Sequence, residues 1–261
     1  MSYFGFLAVF LVLPILVLVL VLFNRPGRMQ QYSAHLRAIG VLVCVAVMYT
    51  TPWDNYLVAN QVWWYKPELV TGITLGWVPI EEYTFFILQT VLTGLWVVYL
   101  SRQKISGPTY RDSRQINIYA VTGALILWLC ASYILFSGWQ PGSYLALILV
   151  WALPPVALQL AYGADILWRQ RQVVVLAILV PTLFLSLADS LAITTGIWTI
   201  SPQLSLGILL GGVLPIEEFI FFLSTEILVA FGMTLALSSE SRARIKGFKP
   251  VAYLVNALEI K

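Results

Sequence analysis

Two short stretches put paired carboxylates where a membrane would be expected to exclude them. One reads Pro79-Ile80-Glu81-Glu82-Tyr83-Thr84-Phe85-Phe86, the other Pro215-Ile216-Glu217-Glu218-Phe219-Ile220-Phe221-Phe222. Both lie in long apolar runs, and an ionisable group inside a bilayer is costly enough to suggest a task. Burial favours the neutral form of a carboxyl, while the positive end of a helix dipole favours the charged form. Adjacent carboxyls under these opposing pulls suit a protonated acid beside an ionised base, which is what general acid–base catalysis requires. Phe85 and Phe86 follow Glu81 and Glu82 by one helical turn, as Phe221 and Phe222 follow Glu217 and Glu218, so each acid has an aromatic ring on its own face. Aromatic faces stabilise cations by about 0.5–2 kcal/mol each. Acids beside aromatic faces, inside lipid, match protonation of a hydrocarbon double bond followed by carbocation rearrangement. A plainer reading stands beside this one. Proline in the first turn with acidic residues after it is ordinary helix N-terminal chemistry, and any single phenylalanine is ordinary packing.

The elements that must position these groups are membrane helices. The chain has 261 residues, 60% hydrophobic and 10% charged, with a mean hydropathy of +0.86. Soluble domains run at about 25% charged, so this composition reads as an integral membrane protein. Spans of roughly 20 apolar residues fall near 2–23, 36–53, 77–100, 116–137, 143–164, 173–192 and 207–237. The first lacks a basic leader or small-residue cleavage site and is expected to be retained. Of the 15 Lys and Arg, all but Lys66 fall in the odd-numbered loops and the C-terminal tail. The positive-inside rule then predicts an outer N-terminus and a cytoplasmic C-terminus. Cys44 and Cys130 lie in apolar runs and read as small core residues. His35 falls in a basic loop, so no metal site is expected. The aromatic residues of 53–65, with Trp198, suit an interfacial belt, with room for a functional share.

The repeat is longer than the motif. Asp54 is followed nine residues later by Trp63 and thirteen later by Pro67; Asp189 is followed at the same spacings by Trp198 and Pro202. Each half therefore reads as three helices: an opening span, a span ending in Asp-bearing sequence, and the Glu-Glu span. The span near 116–137 is left as a linker, and one extra span restores the orientation of the second copy. The fold class expected is all-α: a polytopic membrane protein with two parallel three-helix repeats, related by a pseudo-two-fold along the membrane normal. The expected units are 1–104, a linker 105–140, 141–237, and a basic tail 238–261. Asp54 and Asp189 either act with the glutamates, by hydrogen bond or proton relay, or cap a helix or turn. Glu226 has Thr90 as its counterpart, so it breaks the symmetry of the halves.

These stretches, with Pro52-Trp53-Asp54 ahead of the first, resemble the membrane-integral carotenoid (lycopene) cyclases, which occur as two small homologous subunits or as one fused chain. The resemblance is to the fused form and covers about 1–237. It implies closure of the ψ-ends of lycopene or a related carotenoid to ionone rings, without net redox change and without a flavin; the chain has no Gly-rich dinucleotide fingerprint, and no cofactor is expected. Carried over by motif position, the catalytic residues are Glu81, Glu82, Glu217 and Glu218, with Asp54 and Asp189. The substrate-binding candidates are Trp53, Trp63, Trp77, Phe85, Phe86, Trp198, Phe221, Phe222 and Glu226. The second copy has Leu187-Ala188-Asp189 in place of Pro-Trp-Asp, which bears on whether the halves are equally active. The expected partners are the carotenoid within the bilayer and lipid, not nucleic acid; a homo-oligomer or association with other carotenoid-pathway enzymes is left as an option.

Other classes fit the sequence less well. A microbial rhodopsin needs a lysine in the last span, and 207–237 contains none. A Mg²⁺–diphosphate prenyltransferase needs clustered aspartates, and Asp54 and Asp189 stand alone. A transporter is consistent with internal repeats and intramembrane acids, but the acids lack buried basic partners in the sequence pattern and their surroundings are aromatic. A carotenoid hydratase on the same scaffold is the remaining alternative.

Overall fold

The computed structural model describes residues 1–24, 32–102 and 113–247. Arg25, Arg28, Lys104, Arg111, Lys249 and Lys261, on which part of the loop-charge argument rests, lie outside the described residues, as do parts of the expected linker and tail. Seven helices are long and apolar enough to cross a membrane: α1 (Tyr3–Phe23), α2 (Ser33–Ala59), α3 (Ile80–Ser101), α4 (Arg114–Phe136), α5 (Ser143–Arg169), α6 (Arg171–Thr195) and α7 (Ile216–Leu237). A short α8 (Ser239–Gly247) follows. Between α2 and α3 lie β1 (Trp63–Tyr65), β2 (Thr74–Leu75) and β3 (Val78–Pro79); between α6 and α7 lie β4 (Trp198–Ile200), β5 (Leu209–Leu210) and β6 (Leu214–Pro215).

α3 and α7 form the centre. α3 packs on α1, α2, α6 and α7, and α7 packs on α2, α3, α5 and α6, while α4 lies along α5. Helices associate in lipid by close backbone approach at small residues. Gly94 of α3 is such a point: a Cβ there would sit 2.7 Å from Cγ1 of Ile39 on α2. The buried residues fall into two clusters. One, at the β-strand end, holds Tyr3, Phe6, Trp63, Tyr144 and both Phe pairs; the other, at the opposite end, holds Leu22, Ile39, Leu95, Val174 and Met233.

Strands β1 and β4 pair antiparallel, with Trp63 opposite Ile200, Trp64 opposite Thr199 and Tyr65 opposite Trp198. The hairpins β2–β3 and β5–β6 lie over the starts of α3 and α7, and the ribbon ties the two ends together. Two expected spans therefore start late. The sequence suggested helix from 77 and from 207, whereas α3 begins at Ile80 and α7 at Ile216. Gly207, Gly211 and Gly212 all have positive φ, which turns the apolar stretch into a hairpin instead of a helix. α2 departs in the other direction. It runs on to Ala59, past Pro52, so Asp54 stands within a helix. Close to the proline, Thr51 Oγ1 donates to Val47 O (2.6 Å) and Asn55 Nδ2 to Thr51 O (2.9 Å).

Two smaller expectations are corrected, and the tail gains a helix. Cys44 and Cys130 are exposed, not in the core, because in a bilayer the outward face of a helix is as apolar as its inward face. His35 stands in the first turn of α2 and not in a loop. The start of the tail is a helix, α8, pinned by ion pairs from Arg244 to Asp165 and from Arg169 to Glu240.

Candidate active site

Neighbouring residues on a helix are separated by about 100°, so the two acids of one pair cannot face the same way. The first of each pair turns back into its own hairpin loop. Glu81 Oε1 accepts from Thr71 N–H at 2.6 Å, and Glu217 Oε1 accepts from Leu206 N–H at 2.6 Å. Each hairpin is closed further by the first helical amide, Ile80 N–H to Ile73 O and Ile216 N–H to Ile208 O, both 2.9 Å. Glu81 and Glu217 are thus buried pins of the loop that precedes them.

The second acid of each pair faces the centre. Glu82 Oε2 accepts from Tyr3 OH at 2.6 Å and from Tyr65 OH at 3.0 Å. Glu218 Oε1 accepts from Tyr144 OH at 2.6 Å. Tyr3 opens α1 and Tyr144 opens α5, so each central acid is held by a hydroxyl from the first helix of its own half. Glu82, Glu218 and Asp189 line one small cavity of about 30 Å³, walled by Trp63, Trp198, Phe85, Phe221 and Phe222. The two motifs, more than a hundred residues apart in the chain, thus contribute to a single site.

The aspartates show why the halves differ. In the second half Trp198 Nε1 donates to Asp189 Oδ1 at 2.8 Å. In the first half the matching Trp63 Nε1 donates instead to Tyr65 OH at 3.0 Å, and Tyr65 passes its own hydrogen to Glu82. The strand position matching Tyr65 is Ile200, which has no hydroxyl. Asp54, fully buried and not among the residues that line the cavity, is left with no hydrogen-bond partner on either carboxyl oxygen among the described residues. Burial, and then the Glu82 carboxylate, push the Tyr65 hydroxyl well above its ordinary value, so Tyr65 stays a hydrogen-bond donor at any physiological pH.

The remaining candidates separate in space. Trp63, Trp198, Phe85, Phe221 and Phe222 reach the cavity. Phe86 lies one wall away, in a lateral cleft. Trp53 does not line the cavity; it stacks on Trp151 at 4.5 Å and on Phe221 at 5.8 Å. Trp77 is 68% exposed, because the turn at Gly76 (φ +69°) puts it at the hairpin tip. Glu226 forms a separate buried cluster two turns down α7, accepting from Thr93 Oγ1 (2.6 Å) and Gln89 Nε2 (3.2 Å). The tyrosines Tyr3 and Tyr144 were not foreseen as site residues. Their separation of 141 residues differs from the 136 between the glutamates, so the repeat spacing does not reveal them; their place just inside the first span of each half was the available signal.

The comparison with known proteins follows the same two blocks. The lycopene cyclase family matches residues 2–100 and 141–236. A lycopene beta-cyclase of Halobacterium salinarum is 45% identical over 238 residues, which is 90% of this chain and 95% of that protein. A bifunctional lycopene cyclase/phytoene synthase of Podospora anserina is 36% identical over 212 residues, 78% of this chain and 36% of that protein. One from Neurospora crassa is 36% identical over 211 residues, 76% of this chain and 34% of that protein. No solved structure matches this chain.

Proposed function

This chain belongs to the lycopene cyclase family, and we infer that it is a carotenoid cyclase that closes the acyclic ψ-ends of lycopene, or a related carotenoid, to ionone rings. The observation that carries the mechanism is the meeting of Glu82, Glu218 and Asp189 in one aromatic cavity at the starts of α3 and α7. One carboxyl delivers H⁺ to the terminal double bond. The resulting tertiary cation is attacked by the internal double bond, which forms the ring C–C bond and moves the charge to a ring carbon. A second carboxylate removes a proton there and sets the ring double bond. One proton enters and one leaves, so substrate and product are isomers and no electrons are exchanged. The faces of Phe85, Phe221 and Phe222 stabilise the passing cation, and exclusion of water keeps it from being captured as an alcohol. By similarity to the Halobacterium protein, the expected ring is of the β type.

The cavity at about 30 Å³ is far below the roughly 300–1,000 Å³ usual for ligand pockets, so the aromatic walls must rotate to admit an end group. The sharing of one cavity by both halves supports two parallel repeats joined by α4, and the self-pairing of β1 with β4 is what a two-fold axis through Trp64 and Thr199 generates. The loop charges support an outer N-terminus and a cytoplasmic C-terminus.

Expression in cells that accumulate lycopene tests the function directly. Cyclic carotenoids are the expected pigments, and recovery of lycopene alone from well-expressed protein overturns the reading. Tyr65→Phe tests the asymmetry. It removes one of the two hydroxyls on Glu82 and leaves Trp63 Nε1 without its acceptor. A fall in turnover of about tenfold is expected from the loss of one hydrogen bond to a charged group, with the protein still folded; unchanged turnover removes Tyr65 from the machinery.

A further inference from the structure

We propose that a lateral cleft between α2 and α5 holds the conjugated chain of the carotenoid while its end group lies among the carboxylates; this rests on the cyclase reading. The cleft, about 300 Å³, is floored by α3 and α7 and walled by Leu42 and Ala46 on one side and Pro155 and Leu158 on the other. Its inner end is Phe221, which also lines the carboxylate cavity. Phe221 is thus the residue common to both spaces, and in the proposed mode its ring turns aside to let the chain through. At the outer lip Val45, Tyr49 and Leu158 are exposed. These positions lie mid-helix in α2 and α5, where the surroundings are acyl chains and not water, so a substrate dissolved in the bilayer meets this opening without leaving lipid.

The lining favours a flat unsaturated chain over a saturated one. Tyr49 stacks on Trp151 (5.8 Å, 24°), Trp151 on Trp53 (4.5 Å, 20°) and Trp53 on Phe221 (5.8 Å, 10°). Of these, Tyr49, Trp151 and Phe221 border the cleft, so aromatic contact is offered from the lip to the ring shared with the carboxylate cavity, and a conjugated polyene packs favourably against aromatic side chains. Several polar groups here are already engaged. Tyr49 OH donates to Trp151 O (2.8 Å), Gln159 Nε2 to Leu228 O (3.0 Å) and Gln89 Nε2 to Thr225 Oγ1 (2.6 Å), whereas Trp151 Nε1 and Gln159 Oε1 lack partners among the described residues. Binding a hydrocarbon here therefore breaks none of those engaged bonds.

Ala46→Trp and, from the facing wall, Leu158→Trp test the cleft in purified full-length protein reconstituted in phosphatidylcholine vesicles containing lycopene. Each is expected to raise the KM for lycopene at least about tenfold while kcat at saturation changes little. Leu158 is 73% exposed, so its replacement tests the cleft even if Ala46→Trp fails to fold. Leu127→Trp, on the exposed face of α4, serves as the lipid-facing control and keeps the wild-type KM. Wild-type KM in folded Leu158→Trp overturns the proposal and leaves the cleft as an acyl-chain crevice. Failure of the cyclase reading is distinguishable, because the wild-type protein itself then forms no rings.

Discussion

Glu82→Gln or Glu218→Gln, each alone, should stop ring formation at both ends of the carotenoid while leaving the protein folded. Glutamine retains the carbonyl oxygen that accepts from Tyr3 or Tyr144, at 2.6 Å in each case, so the packing around it persists. It can neither deliver nor take up a proton at the substrate. Loss of a positioned acid or base typically costs about 10²–10⁴ in rate, enough to leave only lycopene in a pigment extract. The geometry sharpens the expectation. Because both acids line one cavity, either substitution should yield acyclic pigment, and the double variant should be no worse than the worse single one. Two independent sites would instead leave half the activity after a single change. Turnover of purified variants, with melting temperatures measured beside it, decides the matter; full turnover in either single variant would falsify the shared-site mechanism.

Glu81 and Glu217 should behave in the opposite way, although each is the immediate neighbour of a central acid. Glu81→Gln keeps an oxygen for Thr71 N–H, and the new NH₂ takes the buried place of Oε2, which has no partner among the described residues, at some cost in stability but with the loop still pinned. Near wild-type cyclisation is therefore expected. Glu81→Ala strips the acceptor from a buried amide and opens the loop that leads into α3. A charge-assisted hydrogen bond and an orphaned amide together are worth about 1–3 kcal/mol, which lowers the melting temperature by several degrees in a chain of this size. Activity lost in Glu81→Ala should return on cooling or with stabilising lipid. Glu217→Ala should do the same through Leu206 N–H. A Glu81→Gln protein that is folded yet as inactive as Glu82→Gln would sink the division between pinning and central acids.

Much of this was written in the sequence. The nine-residue step from Asp189 to Trp198, recognised as a repeated spacing, is a direct hydrogen bond across the turn between α6 and β4. The same step from Asp54 to Trp63 is not, because Tyr65 captures the indole N–H; nothing in the spacing distinguishes the two. The start of α7 was misplaced for a local reason. Residues 207–215 are as apolar as a span, and only the positive φ of three glycines shows that they fold back. The exposed cysteines illustrate a limit particular to membranes, where hydrophobicity marks the bilayer and not the protein interior.

Hydrophobic run length and the doubled Pro-Ile-Glu-Glu stretch by themselves determined the membrane class, the seven spans and the two acid pairs from which Glu82 and Glu218 reach the shared cavity. These are properties of one segment at a time, and lipid enforces them segment by segment. Tertiary structure alone decided which acid of each pair faces the shared cavity and which turns back to its loop, since a rotation of about 100° per residue has no meaning until neighbours define an inside. It also brought Tyr3 and Tyr144 to the two central glutamates, and it placed Phe85 in the cavity but Phe86 in the cleft. Contacts between distant helices follow from how their faces pack, and no spacing along the chain encodes that.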